Sequence, residues 1–236
     1  YRRLDPHDMV GLVARLPDMG EEIWQIAMRL RLPQVMESTT IIVLGMGGSG
    51  VGGDLLQALI SPSFPVPVIV VKDRHVPAFV GPQSLVFACS HSGNTEETIQ
   101  AYTEAKQAGA PAIVITSGGV LGARAAEYGD PVVHLPGGLP PRAAVPYLFL
   151  PMVSALRRLT HMGELSGEWA GARDALRALA GELDREVPAE RNAAKRLAAR
   201  LVGHIPAVYA SSPSLAAAAY RWKCQFNENG KTLALW

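Results

Sequence analysis

Two stretches of this 236-residue chain concentrate groups that can hold an anion. In Gly45-Met46-Gly47-Gly48-Ser49-Gly50 the glycines let the backbone turn tightly and expose successive N–H groups. In Ser90-His91-Ser92-Gly93-Asn94-Thr95-Glu96-Glu97-Thr98 the hydroxyls of Ser90, Ser92, Thr95 and Thr98 crowd together. Neutral donors at that density, backed by a helix N-terminus, suit a phosphate dianion. Helix capping is the ordinary use of such residues: Asn94 is a good N-cap, and Glu97 sits three residues later as a capping-box partner. Capping covers Asn94 and Thr95 but leaves Ser90 and Ser92 unexplained.

The spacing Gly45-x-Gly47-x-x-Gly50 also fits a dinucleotide fingerprint, with Asp73 placed for a ribose contact. A dinucleotide needs an open trench for its second ribose and base, whereas the hydroxyl cluster describes a closed cup for one phosphate. The sugar-phosphate reading is therefore preferred over a nicotinamide enzyme. Two further residues carry charge at notable places. Arg142 follows a stiff Pro140-Pro141 turn, and on its own reads equally well as a surface arginine. Glu228 is expected at a helix C-terminus, where a carboxylate opposes the dipole by roughly 0.3–1 kcal/mol, and an unfavourable placement hints at a use. Gly230-Lys231-Thr232 resembles the end of a P-loop, but Gln225 stands where the first glycine is required. The histidines show no ligand spacing, so no metal is expected, and His91 and His134 read as incidental.

Positioning these residues requires strands that end beneath them. Ile41 to Leu44 is a short apolar run that reads as a buried strand, followed by the glycine loop and a helix over Asp54 to Ile60 that Pro62 and Pro65 end. Further strands are expected over Val66 to Val71, Leu85 to Ser90, Ala112 to Thr116 and Val132 to Leu135. Helices are expected from Asn94 to Gly109, Leu121 to Tyr128 and Ala143 to Leu159. Alternation at this spacing predicts a parallel sheet covered on both faces. Right-handed crossovers then bring the loops after strands one and three to the same edge of the sheet. Residues 1–38 read as a helical segment with apolar positions at Met9, Leu12, Leu16, Ile23, Ile26, Ala27 and Leu30. The first α/β domain is expected over 39–162, with a boundary at Gly163 to Gly167 and connecting helices over 163–204. Residues 205–236 repeat the opening pattern, with a strand over Ile205 to Ala210, a Ser211-Ser212-Pro213-Ser214 loop and a helix over Leu215 to Phe226. One such unit cannot bury both faces of a sheet, so either the sequence is truncated or a partner completes it.

Composition narrows the function classes. A formal net charge of +1 argues against nucleic acid or an anionic membrane as a partner. The apolar runs are too short to span a bilayer, and the polar opening, which lacks Met, reads as trimmed rather than as a signal peptide. Cys89 and Cys224 show no pair spacing, which points to a reducing, cytoplasmic setting.

The glycine loop, the Ser90–Thr98 loop, Pro140-Pro141-Arg142-Ala143 and Gln225-Phe226-Asn227-Glu228-Asn229 together resemble the bifunctional phosphoglucose/phosphomannose isomerases, which carry tandem sugar isomerase (SIS) domains. The resemblance implies a three-layer αβα SIS domain with a five-stranded parallel sheet, followed by a truncated second SIS-like unit. It implies a cofactor-free aldose–ketose isomerase acting on glucose 6-phosphate or mannose 6-phosphate, with fructose 6-phosphate as the ketose and a cis-enediol between them. By that resemblance Gly48, Ser49, Ser90, Ser92 and Thr95 hold the phosphate, Arg142 stabilises the enediolate oxygens, and Glu228 is the base. It also implies a homodimer with the site near the subunit interface. The family's ring-opening histidine, in a His-Asn-Glu motif shortly after Asn-Glu-Asn, has no counterpart among these residues. A non-catalytic sugar-phosphate module is the main rival; it would keep the hydroxyl cup without needing Arg142 or Glu228.

Overall fold

A computed structural model of the chain describes residues 4–33, 38–60, 64–160 and 165–236. The expected helix stop at Pro62 and the boundary at Gly163 lie outside the described residues. The N-terminal segment forms α1 (Met9–Ala14) and α2 (Leu16–Met28). The order then runs β1 (Thr40–Leu44), α3 (Gly47–Ile60), β2 (Val68–Val71), β3 (Ser84–Ser90), α4 (Glu96–Gln107), β4 (Ala112–Thr116), α5 (Gly119–Tyr128) and β5 (Val132–His134). A short 3-10 turn, Pro141–Ala143, leads into α6 (Val145–Thr160), α7 (Leu165–Glu182), α8 (Ala193–Leu201) and α9 (Pro213–Glu228).

The strands form one five-stranded sheet in the order β2-β1-β3-β4-β5, and every pairing is parallel. Successive strand residues point to opposite faces. Ile41, Val43, Leu85, Phe87 and Cys89 therefore pack beneath α2, α3 and α6, in a core that includes Ile23, Trp24, Leu56 and Leu148. Ile42, Leu44, Val86, Ala88 and Val114 pack on the other side with Tyr102, Ala105, Leu121 and Ala125 of α4 and α5. Burial on both faces explains why these strands read as continuous apolar runs. The three-layer SIS expectation holds for this part of the chain.

Helix α3 starts seven residues before the expected Asp54, at Gly47. Glycine is a poor helix former, but here it permits close approach. A methyl group on Gly53 would sit 2.7 Å from Val43 Cγ1, and one on Gly52 would sit 2.6 Å from the Leu148 carbonyl oxygen. The glycines past the loop are thus the surface on which α3 meets β1 and α6.

After α6 the chain returns to its own start. Trp169 of α7 stacks on Trp24 at 6.1 Å, and Arg173 pairs with Glu21 at 2.8 Å. Gly167, expected as part of a boundary, lies inside α7. The expected strand over Ile205 to Ala210 is not formed as such: it reduces to one parallel bridge, Ala207 to Leu235. Tyr209 is 91% exposed, so the alternation that signals a strand has no second face to bury here. Helix α9 matches expectation closely, and it packs back against α3. No helix among the described residues is long and apolar enough to cross a membrane.

Candidate active site

The strand order reverses between β1 and β3, because β2 lies to one side of β1 and β3, β4 and β5 to the other. Ligands of open α/β sheets bind at such a switch point, beyond the carboxyl ends of the strands. Both candidate loops meet there. Ser49, in the first turn of α3, accepts the His91 N–H on its Oγ at 3.2 Å, and both residues are buried. This bond staples the loop after β1 to the loop after β3. The N–H groups of Gly47 and Gly48 lie ahead of the first intrahelical acceptor and are the donors that a helix start presents.

Within the second loop the hydroxyls divide by exposure. Ser90 is buried, lies 2.9 Å from Thr95 Oγ1 through its Oγ, and accepts the Gly93 N–H at 3.1 Å. Ser92 is exposed and accepts the Asn94 N–H at 3.2 Å. Thr98 is buried, and its hydroxyl has no hydrogen-bond partner among the described residues. The turn depends on Gly93, whose φ is +70° and where a methyl group would fall 1.8 Å from the Gly118 carbonyl oxygen.

The capping expectation is corrected. Helix α4 begins at Glu96, with Thr95 as its N-cap residue and no side-chain cap bond. Asn94 instead accepts the Val120 N–H at 3.1 Å and so caps the start of α5. An asparagine caps whichever orphan N–H its backbone leaves within reach, and the left-handed Gly93 aims this one sideways. Glu96 and Glu97 occupy the first turn of α4, where their charge complements the dipole.

Arg142 sits in the 3-10 turn, which abuts the start of α3: a methyl group on Gly48 would lie 3.1 Å from Pro141 Cβ. Helix α9 brings Glu228 to the same place from 86 residues later, with Arg142 Nη1 3.8 Å from Glu228 Oε2. Both side chains keep access to water, 25% and 47% exposed respectively. The shorter bond of Arg142 goes to a residue that the sequence reading quoted but gave no role. Its Nε–H donates to Asn229 Oδ1 at 2.6 Å. Arg221 and Gln225 donate to the Arg142 carbonyl at 3.0 and 3.3 Å. Residues 221, 225, 228 and 229 recur at helical spacing, which was the available signal; their common target was not visible from spacing alone.

His91, read as incidental, is a junction. Its N–H goes to Ser49, and its carbonyl accepts the Ser117 hydroxyl at 2.6 Å and the Ser117 N–H at 3.0 Å. Burial lowers its pKa below the ordinary 6.5, partly opposed by a bond from the ring to the Pro136 carbonyl. Its Nε2 is buried and has no hydrogen-bond partner among the described residues. His134 is exposed at the end of β5 and takes no part in the site. Asp73 accepts the Arg74 N–H on Oδ1 at 2.6 Å. A separate groove of about 530 Å³ lies on the β2 side of α3, lined by Asp54, Lys72, Tyr220 and Trp236. It contains none of the residues of the cup.

Known proteins match this chain in two blocks. Residues 35–141 match the SIS domain family, and residues 190–236 match the bacterial phospho-glucose isomerase C-terminal SIS domain. A bifunctional phosphoglucose/phosphomannose isomerase from Caldicellulosiruptor bescii is 37% identical over 96% of this chain and 67% of its own length. One of the same name from Thermoplasma acidophilum is 41% identical over 83% of this chain and 57% of its own. The chain thus spans between just over half and two thirds of these relatives. Among solved structures, the C-terminal domain of glucosamine-fructose-6-phosphate aminotransferase from Francisella tularensis superposes with a TM-score of 0.68. It covers 100% of this chain and 70% of that one at 13% identity, a likeness of fold alone. With both SIS blocks matched and relatives of one name aligned along most of its length, the chain belongs to the bifunctional phosphoglucose/phosphomannose isomerase family.

Proposed function

We propose that this chain forms the working part of an aldose–ketose isomerase that interconverts glucose 6-phosphate or mannose 6-phosphate with fructose 6-phosphate. The observation that carries the reading is the convergence of Arg142 and Glu228 beside the stapled loops of Ser49 and His91. A module that only senses a sugar phosphate has use for the loops but none for that pair.

In this reading the phosphate rests against the starts of α3 and α4, held by the N–H groups around Gly48 and by Ser49, Ser90, Ser92 and Thr95. Anchoring a group remote from the reaction fixes the sugar's C1 and C2, which converts binding into orientation. Glu228 removes the proton from C2 of the open-chain aldose. The electrons of that C–H bond form the C1–C2 double bond, and the carbonyl oxygen at C1 takes the negative charge. Arg142 answers that charge as it develops, which is where a fixed cation accelerates a reaction most. The proton of the C2 hydroxyl passes to the C1 oxygen, Glu228 returns the carbon-bound proton to C1, and the C2 oxygen becomes the ketone, so the carboxylate is regenerated and no electrons leave the sugar. The two free cysteines, Cys89 and Cys224, fit a reducing compartment, and the cytoplasm is the setting we infer.

The test is hydrogen exchange on the substrate. With fructose 6-phosphate in D2O, the protein should place deuterium at C1 of the ketose and C2 of the aldose, followed by NMR. Glu228→Gln should abolish the exchange while fructose 6-phosphate still binds in calorimetry. Exchange at the normal rate in Glu228→Gln would show that the base is another residue.

A further inference from the structure

The contacts around Arg142 close into a ring whose direction is fixed by chemistry. A guanidinium has only donors and a backbone carbonyl only acceptors. Asn229 therefore turns its Oδ1 toward Arg142 Nε, at 2.6 Å, and its Nδ2 toward Gln225. Nδ2 donates to Gln225 Oε1 at 2.6 Å, so Gln225 is left with Nε2, which donates to the Arg142 carbonyl at 3.3 Å. Flipping Asn229 would set donor against donor. Flipping Gln225 would set its oxygen against a carbonyl oxygen. Neither amide has an alternative orientation, which is unusual for such side chains. The two amides are four residues apart on α9 and so lie on one face of it. Arg221, one turn earlier, adds a second donor to the same carbonyl at 3.0 Å.

We infer that Gln225 is a positioning residue for the isomerase reaction: through this ring it locks the guanidinium of Arg142 to the helix that carries Glu228. The inference rests on the isomerase reading above. Gln225 itself touches neither loop of the phosphate cup among its recorded bonds. Its effect is on Arg142. With Nε held by Asn229, the guanidinium keeps Nη1 turned toward Glu228, 3.8 Å away. With the carbonyl of the same residue held by Gln225 and Arg221, the 3-10 turn cannot slide along α9. The cation and the base then stay in register although 86 residues separate them in the chain.

Two variants of the full chain test this. Gln225→Leu removes both bonds and keeps the bulk; Gln225→Glu keeps the acceptor for Asn229 but turns an oxygen against the Arg142 carbonyl. Each should lower kcat about tenfold, the effect of one hydrogen bond lost from the transition state. KM for fructose 6-phosphate should stay within about twofold, because the cup is untouched. A purely structural role would lower the melting temperature and leave kcat of the folded fraction unchanged, which would overturn the inference. Solvent exchange of the Arg142 Nε proton, followed by NMR, reads the ring without activity: it should be slow in the wild type and faster in both variants. An inactive wild type with a protected Nε proton would sink the isomerase reading while leaving the ring intact. An active wild type whose kcat is matched by Gln225→Leu would overturn the inference alone.

Discussion

Ser49 and Ser92 are assigned to the same phosphate, yet their surroundings require that they differ in what they do for the fold. Ser49 is 7% exposed, and its Oγ is the acceptor for the buried His91 N–H at 3.2 Å. Ser49→Ala removes that acceptor and leaves a buried donor without its partner. Such a group costs about 1–3 kcal/mol. For a chain of this size each kcal/mol moves the melting temperature by about 2–4 °C, so the expected fall is about 2–12 °C. Ser92 is exposed, and its hydroxyl accepts only the exposed Asn94 N–H. Ser92→Ala should therefore change stability by no more than about 0.5 kcal/mol, or roughly 2 °C. Both variants should weaken fructose 6-phosphate binding. Thermal unfolding by circular dichroism, paired with calorimetric titration, separates the two effects. Equal melting temperatures for the two alanine variants would refute the staple between the β1 and β3 loops. A larger fall for Ser92→Ala would refute it equally.

Asn94→Ala should cost about 1 kcal/mol, the usual loss of a cap. Amide exchange should accelerate at Val120 and stay unchanged in the first turn of α4; acceleration at Glu97 instead would restore the capping box that the structure replaces. The buried His91 gives stability a pH dependence. Its pKa is lowered in the fold, so below pH 6.5 the unfolded chain takes up a proton that the folded chain resists. Stability should then fall as pH drops below that value, by up to about 1.4 kcal/mol per pH unit from this group. His91→Asn, which keeps a polar side chain but cannot take up a proton in this range, should show a shallower decline between pH 6.5 and 5. An unchanged slope would remove His91 from the account.

The sheet was legible in the sequence because its strands are buried on both faces, which leaves unbroken apolar runs ended by turns. The strand at Ala112–Thr116 is found at its expected bounds, and β1 differs by one residue. The start of α3 was not legible, because Gly52 and Gly53 signal a loop locally and serve packing only once Leu148 and Val43 are in place. Ile205 to Ala210 shows the converse: its pattern is strand-like, but a strand needs neighbours, and among the described residues its one bridge is to Leu235. In the site, the loops were legible as local clusters of one chemistry. Asn94 was misassigned because two helix starts compete for its oxygen, and only one lies within reach. The partnership of Arg142 with Asn229 and Gln225 was hidden for a different reason. Each amide is unremarkable alone, and its meaning appears only when α9 folds back against α3 and meets the 3-10 turn.

The proposed chemistry depends on where a sugar phosphate sits. A crystal of the protein grown with fructose 6-phosphate would locate the phosphorus directly. The account predicts it at the switch point between β1 and β3, in contact with the first turn of α3 and the Ser90–Thr95 turn, with C1 and C2 of the sugar directed at Glu228 and Arg142. Phosphorus found instead in the groove between Lys72 and Tyr220, on the β2 side of α3, would contradict it.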